Sequence, residues 1–143
     1  MKNRLLTLTA LIALTACSQS PESIVDRSSQ ICGEKPNCVS TLDDRDEHLL
    51  APYFLKENVD INQLEATALK LPGTKTAVKN VEYIRIECTS QLLGFVDDLE
   101  LRISENQLTV RSESRVGYSD FGVNRDRADQ LRELLIKDGL LSQ

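Results

Sequence analysis

The sequence predicts an α+β fold in which an antiparallel sheet of three to four strands has two helices packed on one face. Three segments, residues 81–88, 97–103 and 107–115, alternate apolar and polar side chains with the period of a β-strand. Segments with the helical spacing of apolar residues precede and follow these strands. Because each strand has one apolar and one charged face, we expect the sheet to be covered on one side only.

The length and composition are those of one domain with an aliphatic core. The chain has 143 residues, no Trp and few other aromatic residues, so Leu, Ile and Val must fill its core. We expect a single domain over residues 31–143. The formal net charge of -5 argues against nucleic acid as a partner, because binding to phosphates requires a basic excess.

The N-terminus has the pattern of an export signal. Two positive charges in residues 1–4 precede a short apolar run over residues 5–13, and Leu-Thr-Ala-Cys follows at once and ends at Cys17. The apolar run is far shorter than the ~20 residues that a membrane-spanning helix needs. We therefore predict a lipoprotein signal peptide over residues 1–16 and a lipidated, flexible tether over residues 17–30.

The LTAC sequence resembles the bacterial lipobox, which implies that Cys17 receives a diacylglycerol thioether and becomes the mature N-terminus. Ser18 follows this cysteine in place of Asp, which implies delivery to the outer membrane in a host with two membranes. Acyl chains such as palmitate are then expected to hold the protein at the periplasmic face of that membrane, since each buried CH₂ contributes ~0.8 kcal/mol.

Three cysteines remain for the folded domain if Cys17 is lipidated. Cys32 and Cys38 lie close together in a turn-rich segment, and export implies an oxidising compartment, so we expect a disulfide between them. Cys88 lies within a strand pattern and is expected to be a buried free thiol. The sequence leaves the connectivity open, and a link between Cys38 and Cys88 is the alternative.

Residues 31–53 form an irregular segment that is rich in carboxylates. Its acidic residues and the sole histidine lack regular ligand spacing, so a solvated acidic loop is favoured over a metal site. The residues concerned are Asp43, Asp44, Asp46, Glu47 and His48. His48 is expected to be a hydrogen-bonding surface group. Because the chain also has no CxxC pair, neither a metal nor a cofactor is predicted.

Residues 60–71 predict the first helix. Asp60 suits the N-cap position, and Gln63 completes a capping box. Apolar residues then recur at helical spacing until Pro72-Gly73 ends the helix. Residues 74–79 are a weaker match to an edge strand.

The three strands that follow divide their side chains between two faces. The apolar face is expected to include Ile84, Ile86, Cys88, Leu99, Leu101, Ile103, Leu108, Val110 and Ser112. The opposite face is expected to include Tyr83, Arg85, Glu87, Asp98, Glu100, Arg102, Thr109, Arg111 and Glu113. The short link at residues 104–106 makes the last two strands a hairpin.

The final helix is expected to begin at Asn124, which suits the N-cap position. Leu131, Leu134 and Leu135 recur at helical spacing and predict a stripe that faces the core. Asp138-Gly139 then provides a C-terminal stop.

Three segments resemble the DUF1499 family of uncharacterised proteins. They are PNCVS at residues 36–40, GFVDDLEL at 94–101 and VRSESRVGYSDFGVNRDR at 110–127. The resemblance covers residues 31–135 and implies a bacterial envelope lipoprotein with no assigned activity. The matching positions are Asn37, Cys38, Ser40, Ser90, Phe95, Asp97, Asp98, Arg111, Ser112, Ser114, Arg115, Gly117, Asp120, Gly122, Asn124 and Arg127. Glu113 departs from the small residue expected there, which weakens any anion-binding role for its face.

Arg111, Arg115, Asp120 and Arg127 form the candidate ligand or partner site. The arginines come from a strand, its end and the first turn of a helix, so they could bind a phosphate or carboxylate together with the helix N-terminus. The favoured alternative is that they pair with nearby aspartates and lock the loop, because a loop rich in such side chains often satisfies its own polar groups.

Asp97 and Asp98 are a candidate carboxylate pair. Adjacent residues of a strand point to opposite faces, however, so the two side chains cannot share one proton. We expect one to face a buried arginine and the other to face solvent.

Two functions remain open at this point. The preferred one is a non-catalytic envelope lipoprotein domain that binds a protein partner or a small anionic ligand through residues 111–127. The alternative is a small hydrolase or transferase that uses carboxylates with Ser or His in the same region. No serine lies in a GxSxG or SxxK pattern. A concave site with convergent polar groups and a titratable base would distinguish the two.

Overall fold

A computed structural model describes residues 25–142, which form one six-stranded antiparallel sheet and two helices. The elements in chain order are β1 (Cys38–Ser40), β2 (Tyr53–Phe54), α1 (Ile61–Ala68), β3 (Thr74–Lys79), β4 (Tyr83–Thr89), β5 (Val96–Ser104), β6 (Gln107–Ser114) and α2 (Val123–Lys137). The strand order is β1-β6-β5-β4-β3, and β2 pairs with another part of β6. The predicted α+β class is confirmed.

The predicted signal peptide, Cys17 and the first part of the tether lie outside the described residues. Within residues 25–142, neither helix has the length and apolar character needed to cross a membrane.

The prediction of three to four strands is wrong, because the sheet has six. The two additional strands, β1 and β2, have only three and two residues, which is too short for a visible alternation. Both pair with β6, as in the pairs Ser40–Arg111 and Tyr53–Leu108. The irregular segment of residues 31–53 is therefore ordered by pairing with β6 of the long β5–β6 hairpin.

One apolar cluster contains buried side chains of the sheet and of both helices. The sheet contributes Ile84, Ile86, Leu99, Leu101, Leu108 and Val110, which follow the predicted alternation. The helices contribute Ile61, Leu64, Ala68, Ala128, Leu131 and Leu135. Because these side chains are almost completely removed from water, the hydrophobic effect is the main stabilising term for the domain.

Helix α1 begins as its sequence predicts. The Asp60 carboxylate accepts hydrogen bonds from the backbone N–H groups of Asn62 and Gln63, both at 2.9 Å. The Gln63 side chain accepts one from the Asp60 N–H at 3.0 Å, which completes the capping box.

Helix α2 begins at Val123, and the prediction of Asn124 as its N-cap is wrong. Gly122 occupies the N-cap position with φ 87°, a left-handed conformation that glycine adopts at little cost. Asp120 performs the capping chemistry instead, because its carboxylate accepts hydrogen bonds from the N–H groups of Gly122 (3.0 Å) and Asn124 (2.9 Å). Asn124 is thereby moved inside the helix, where its side chain is buried.

The charged face of the sheet is also buried, which corrects the expectation of a sheet covered on one side only. Residues 25–30 lie against this face, where the Arg27 N–H donates a 2.9 Å hydrogen bond to the Glu100 carboxylate and Ser28 is fully buried. The residues of the face that are almost completely excluded from water are Tyr83, Arg85, Asp98, Glu100 and Arg111. The described part of the predicted tether is therefore packed against the domain.

The predicted disulfide between Cys32 and Cys38 is present, with the two Cα atoms 5.7 Å apart. It closes the loop that leads into β1. Cys88 is a buried free thiol in β4. Burial raises its pKa to about 11, so the thiol remains protonated at neutral pH and behaves as a small apolar group.

Two residues of the acidic segment are buried, in contrast to the solvated loop that was predicted. The Asp43 carboxylate accepts a hydrogen bond from the Cys32 N–H (2.9 Å) and forms an ion pair with Arg45 (2.8 Å), and the hydrogen bond from Arg45 holds the pKa of Asp43 far below its ordinary value. His48 is buried, not exposed, with Nδ1 2.9 Å from the Cys38 carbonyl oxygen. Among residues 25–142, no cluster of three or more His, Cys, Asp or Glu side chains could hold a metal ion.

Candidate functional site

Four arginines and four carboxylates meet on the face of the sheet opposite the apolar core, and we call them the buried charge network. Its members are Arg27, Arg85, Arg111, Arg115, Glu87, Asp98, Glu100 and Glu113. Strand alternation explains why they share one face, because all the members from β4, β5 and β6 occupy equivalent positions of the pleat. Formal charges of +4 and -4 therefore balance within the network.

Strand register arranges the network in two rows. In one row Glu100 lies between Arg85 and Arg111, so a negative side chain separates two positive ones. In the other row Asp98 lies between Glu87 and Glu113, so three carboxylates are direct neighbours. Like charges at opposite positions of a sheet are destabilising. Cations from outside this second row must therefore neutralise it.

Arg115 supplies one of those cations. Its Nε and Nη2 atoms donate to both oxygens of Asp98 at 2.9 and 2.7 Å, a bidentate pair, and Nη2 also donates to Glu87 at 2.8 Å. The hydrogen bond from Arg115 to Asp98 raises the pKa of the guanidinium further above its ordinary value. Arg115 thus holds the end of β6 to β4 and β5 through Nε and Nη2.

Arg27 supplies the second cation and comes from the N-terminal segment. Its guanidinium pairs with Glu113 and lies 3.8 Å from Asp98. Arg111 also donates to Glu113, at 2.8 Å, so the residue that departs from the family pattern forms a local ion pair. The carboxylates of this row are thereby matched by arginines from three parts of the chain.

Glu100 is the most deeply buried carboxylate of the network. Its Oε1 atom accepts hydrogen bonds from the Tyr83 hydroxyl (2.7 Å) and the Arg27 N–H (2.9 Å), and its Oε2 atom lies 3.6 Å from Arg111. Burial and the hydrogen bond to Glu100 raise the pKa of Tyr83 well above its ordinary value, so the hydroxyl remains a donor.

A cleft of about 650 Å³ opens above the network. Its charged lining residues are Arg27, Lys35, Arg115, Glu34, Asp98 and Glu113. Cations and carboxylates line it in equal number, so the cleft has no excess charge of either sign to attract an ion. Arg111 is buried and paired with Glu113, and Arg115, which lines the cleft, is paired with Asp98 and Glu87, so both cations are already balanced by the chain's own carboxylates.

Arg127 lies in a different place from Arg111 and Arg115. It extends from α2 and donates to Asp97 (2.7 Å), to the Ser112 hydroxyl (3.0 Å) and to Asn124 Oδ1 (2.6 Å). These partners belong to the helix side of the sheet. The four residues proposed as one site are therefore divided between the two faces, with Asp120 capping α2.

Asp97 and Asp98 point to opposite faces, as the strand period predicts. The expectation that one of them faces solvent is wrong, because both are buried. Asp97 pairs with Arg127 and Asp98 with Arg115. Each carboxylate thus has its own arginine, and the two cannot act as an acid–base pair.

Asn124 is the centre of a second polar cluster on the helix side. Its Oδ1 atom accepts hydrogen bonds from Ser112 and Arg127, both at 2.6 Å. Its Nδ2 atom donates to the Asn37 carbonyl oxygen (3.1 Å), the Ser114 hydroxyl (2.9 Å) and the Asp120 carboxylate (2.8 Å). One fully buried side chain thereby joins β1, β6, the following loop and α2.

A Ser-His arrangement for catalysis is absent from residues 25–142. The His48 ring contacts the Cys38 carbonyl oxygen and lies 3.9 Å from Glu47, but no hydrogen bond joins it to a serine hydroxyl. Ser112 and Ser114 bond to Asn124, on the helix side of the sheet. These serines have a structural role in the fold, and none has a neighbouring base that could activate it.

A feature that the sequence patterns missed is an exposed apolar surface at one end of the sheet, which we call the apolar loop end. It comprises Leu92, Leu93, Phe95, Val116, Tyr118, Phe121 and Val123. The pairs Thr89–Val96 and Asp97–Ser114 bring the β4–β5 loop and the β6–α2 loop to the same end. Leu92 and Val123 also line one common cleft. The sequence does contain a signal for this surface, namely two clusters of apolar residues in the loops. The segments around them are rich in Gly, Ser and Asp and therefore resemble ordinary turns.

Phe121 is the most exposed side chain of this surface. It is 95% exposed, and its φ of 54° is in the left-handed region. A bulky residue there costs about 1–2 kcal/mol relative to ordinary backbone conformations. The side chain buries almost nothing within the chain in return, so folding stability does not explain a phenylalanine at this position.

Residues 28–135 match the model of DUF1499, which is described as a protein of unknown function. The chain belongs to the DUF1499 family. The family predicted from the three motifs is therefore confirmed over nearly the predicted range. No curated protein and no solved structure matches this DUF1499 chain.

The remaining family positions of this DUF1499 domain hold its loops in place. The Asn37 side chain donates to the carbonyl oxygens of Ser114 (3.4 Å) and Gly117 (3.3 Å). Ser90 accepts a hydrogen bond from the Phe95 N–H at 3.0 Å, which closes the β4–β5 loop. In the same way, the Ser40 hydroxyl accepts one from the Leu42 N–H at 3.1 Å. Gly117 and Gly122 both have a positive φ in the loop between β6 and α2.

Proposed function

We propose that this DUF1499 protein is an exported lipoprotein whose folded domain is a non-catalytic interaction domain. Its binding surface is the apolar loop end, not the arginines of residues 111–127. Arg111, Arg115 and Arg127 are occupied by the chain's own carboxylates, whereas seven large apolar side chains of the two loops and the first residue of α2 are 47–95% exposed. A concentration of exposed apolar side chains at one end of a domain is typical of sites that bind proteins or membranes.

The observation that carries the proposal is Phe121. Its backbone is in an unfavourable region for a bulky residue and its ring is almost completely exposed. A side chain that lowers the stability of the free domain is explained if its binding to a partner outside the domain compensates for that cost. The two polar clusters support this role, because they fix the start of α2 and the loop on which Phe121 is presented.

The lipoprotein part of the proposal rests on the LTAC sequence before the predicted modification site. We expect Cys17→Ala to release the protein from the membrane fraction into the soluble fraction, because the acyl chains on Cys17 provide the anchor. Cell fractionation with immunodetection measures this, with Cys88→Ala as a control that leaves the anchor intact. Unchanged fractionation of the Cys17 variant would exclude lipid anchoring, and outer-membrane fractions separated from inner-membrane fractions test the predicted location.

The interaction surface is tested by photocrosslinking in native membranes. Benzoylphenylalanine in place of Tyr118 is expected to form an adduct with a protein or a lipid, because Tyr118 lies in the apolar loop end. The same probe in place of Val81 is the matched control. Val81 is 85% exposed and lies at the opposite end of the sheet, in the turn before the pair Tyr83–Arg102. Adducts of equal yield at both positions, or none at either, would contradict the proposal.

A further inference from the structure

We infer that the apolar loop end docks on the phospholipid surface to which the chain is anchored, so that the domain lies on its membrane in one fixed orientation. This inference rests on the proposed function and names the partner of the same surface. The other occupants, a second copy of the chain or a different protein, are outcomes of the test below.

The apolar side chains of the two loops are strongly exposed. Phe121 and Leu92 are 95% and 91% exposed, so both side chains project from the surface, and Leu92 does so at the rim of the cleft that it shares with Val123. Side chains that project in this way insert readily among mobile acyl chains, whereas packing on a rigid protein surface requires a complementary pocket for each. Aromatic residues such as Phe121 and Tyr118 also suit the membrane–water interface, where Tyr is enriched.

Arg115 and Asp120, at the two ends of the β6–α2 loop, are both paired within the domain. A charged group costs free energy on transfer toward the bilayer unless it is paired and hydrogen-bonded. Arg115 is paired with Asp98 and Glu87, and the Asp120 carboxylate accepts three hydrogen bonds, from Gly122 and Asn124. The β6–α2 loop can therefore approach the headgroups with its charged side chains already satisfied.

The predicted anchor at Cys17 is close in sequence to the start of the described domain. Val25, the first described residue, lines the same cleft as Gly117 in the β6–α2 loop. Cys17 precedes Val25 by eight positions, which spans at most ~28 Å of extended chain. A domain of this size has a radius of gyration of ~13 Å. If Cys17 is lipidated, the bilayer is thus within reach of the apolar loop end, and weak apolar contacts suffice to orient the domain.

The test uses the absence of tryptophan from the chain, since one introduced Trp gives a unique signal. Full-length lipidated Phe121→Trp, Leu92→Trp and Val81→Trp variants are each reconstituted in vesicles of phosphatidylethanolamine and phosphatidylcholine, with and without bromine on the phosphatidylcholine acyl chains. Brominated lipid is expected to remove roughly half or more of the emission at positions 121 and 92, because an interfacial ring lies at the level of the headgroups and upper chains.

The Val81→Trp variant is expected to retain its emission, because it lies at the opposite end of the sheet. Quenching at positions 121 and 92 should also persist in high salt, since the surface is apolar and not basic. Equal quenching at all three positions, or loss of quenching in salt, would overturn the inference. Absence of quenching at both loop positions, together with a protein adduct at Tyr118, would overturn it and leave the proposed function standing. Absence of both signals would overturn the two proposals together.

Discussion

Glu100→Ala is expected to lower the free energy of unfolding by about 3–5 kcal/mol, the range for removal of one partner from a buried ion network. The Glu100 carboxylate is fully excluded from water and lies between Arg85 and Arg111 in the strand register. Its loss leaves two buried guanidinium groups without the negative charge between them. The Tyr83 hydroxyl and the Arg27 N–H also lose their common acceptor.

Chemical denaturation followed by circular dichroism measures this change. Glu57→Ala is the matched control, because Glu57 is exposed and its removal is expected to change the free energy of unfolding by less than about 0.5 kcal/mol. Glu100→Gln separates charge from hydrogen bonding, since the amide oxygen still accepts from Tyr83. Equal stability of the Glu100→Ala and Glu57→Ala proteins would show that the network does not stabilise the fold.

Asn124→Ala is expected to destabilise the domain by about 2–4 kcal/mol. Its side chain makes five hydrogen bonds, and a buried polar group that loses its partner costs about 1–3 kcal/mol. Ser112 loses the acceptor for its hydroxyl proton, and Arg127 loses one of its acceptors. The join between β1 and the start of α2 is lost with them.

Gln130→Ala provides the comparison within the same helix, because Gln130 is exposed and its side chain has no hydrogen-bond partner within residues 25–142. Thermal unfolding of the two variants separates the loss of the buried amide from any change in helix propensity. We also expect Asn124→Ala to expose amide hydrogens of residues 115–123 to faster exchange, since this loop is tied to Asn124 through Asp120. A melting temperature as high as that of Gln130→Ala would contradict the role assigned to Asn124.

Much of the fold follows from sequence periodicity. The alternation in β5 and β6 is long enough to identify a hairpin, and Asp60 with Gln63 identifies a helix start by local chemistry alone. The pairing of Cys32 with Cys38 follows from their proximity in the chain. In these cases the interacting groups are close in sequence, so the pattern contains the necessary information.

The remaining errors concern partners that are distant in sequence. Arg27 contacts Glu100 across 73 positions of the chain, so nothing local shows that residues 25–30 cover the charged face. Asn124 has the residue type of an N-cap, but Asp120 and Gly122 form the cap before it. The prediction of a single arginine site was wrong for the same reason. The alternation of side chains within β6 gives no information on Arg127, which comes from α2 and lies on the other face of the sheet from Arg111 and Arg115.

The position of Arg27 has a mechanical consequence. If the chain is held to a membrane through Cys17, any force on the anchor enters the domain at the segment that follows it. That force acts first on the ion pairs of Asp26 with Arg102 and of Arg27 with Glu113. These pairs precede the Cys32–Cys38 disulfide, which is the first covalent cross-link that the force meets along the described chain. The Arg27–Glu113 salt bridge, which helps to neutralise the row of Glu87, Asp98 and Glu113, would thus also bear load between the lipid and the sheet.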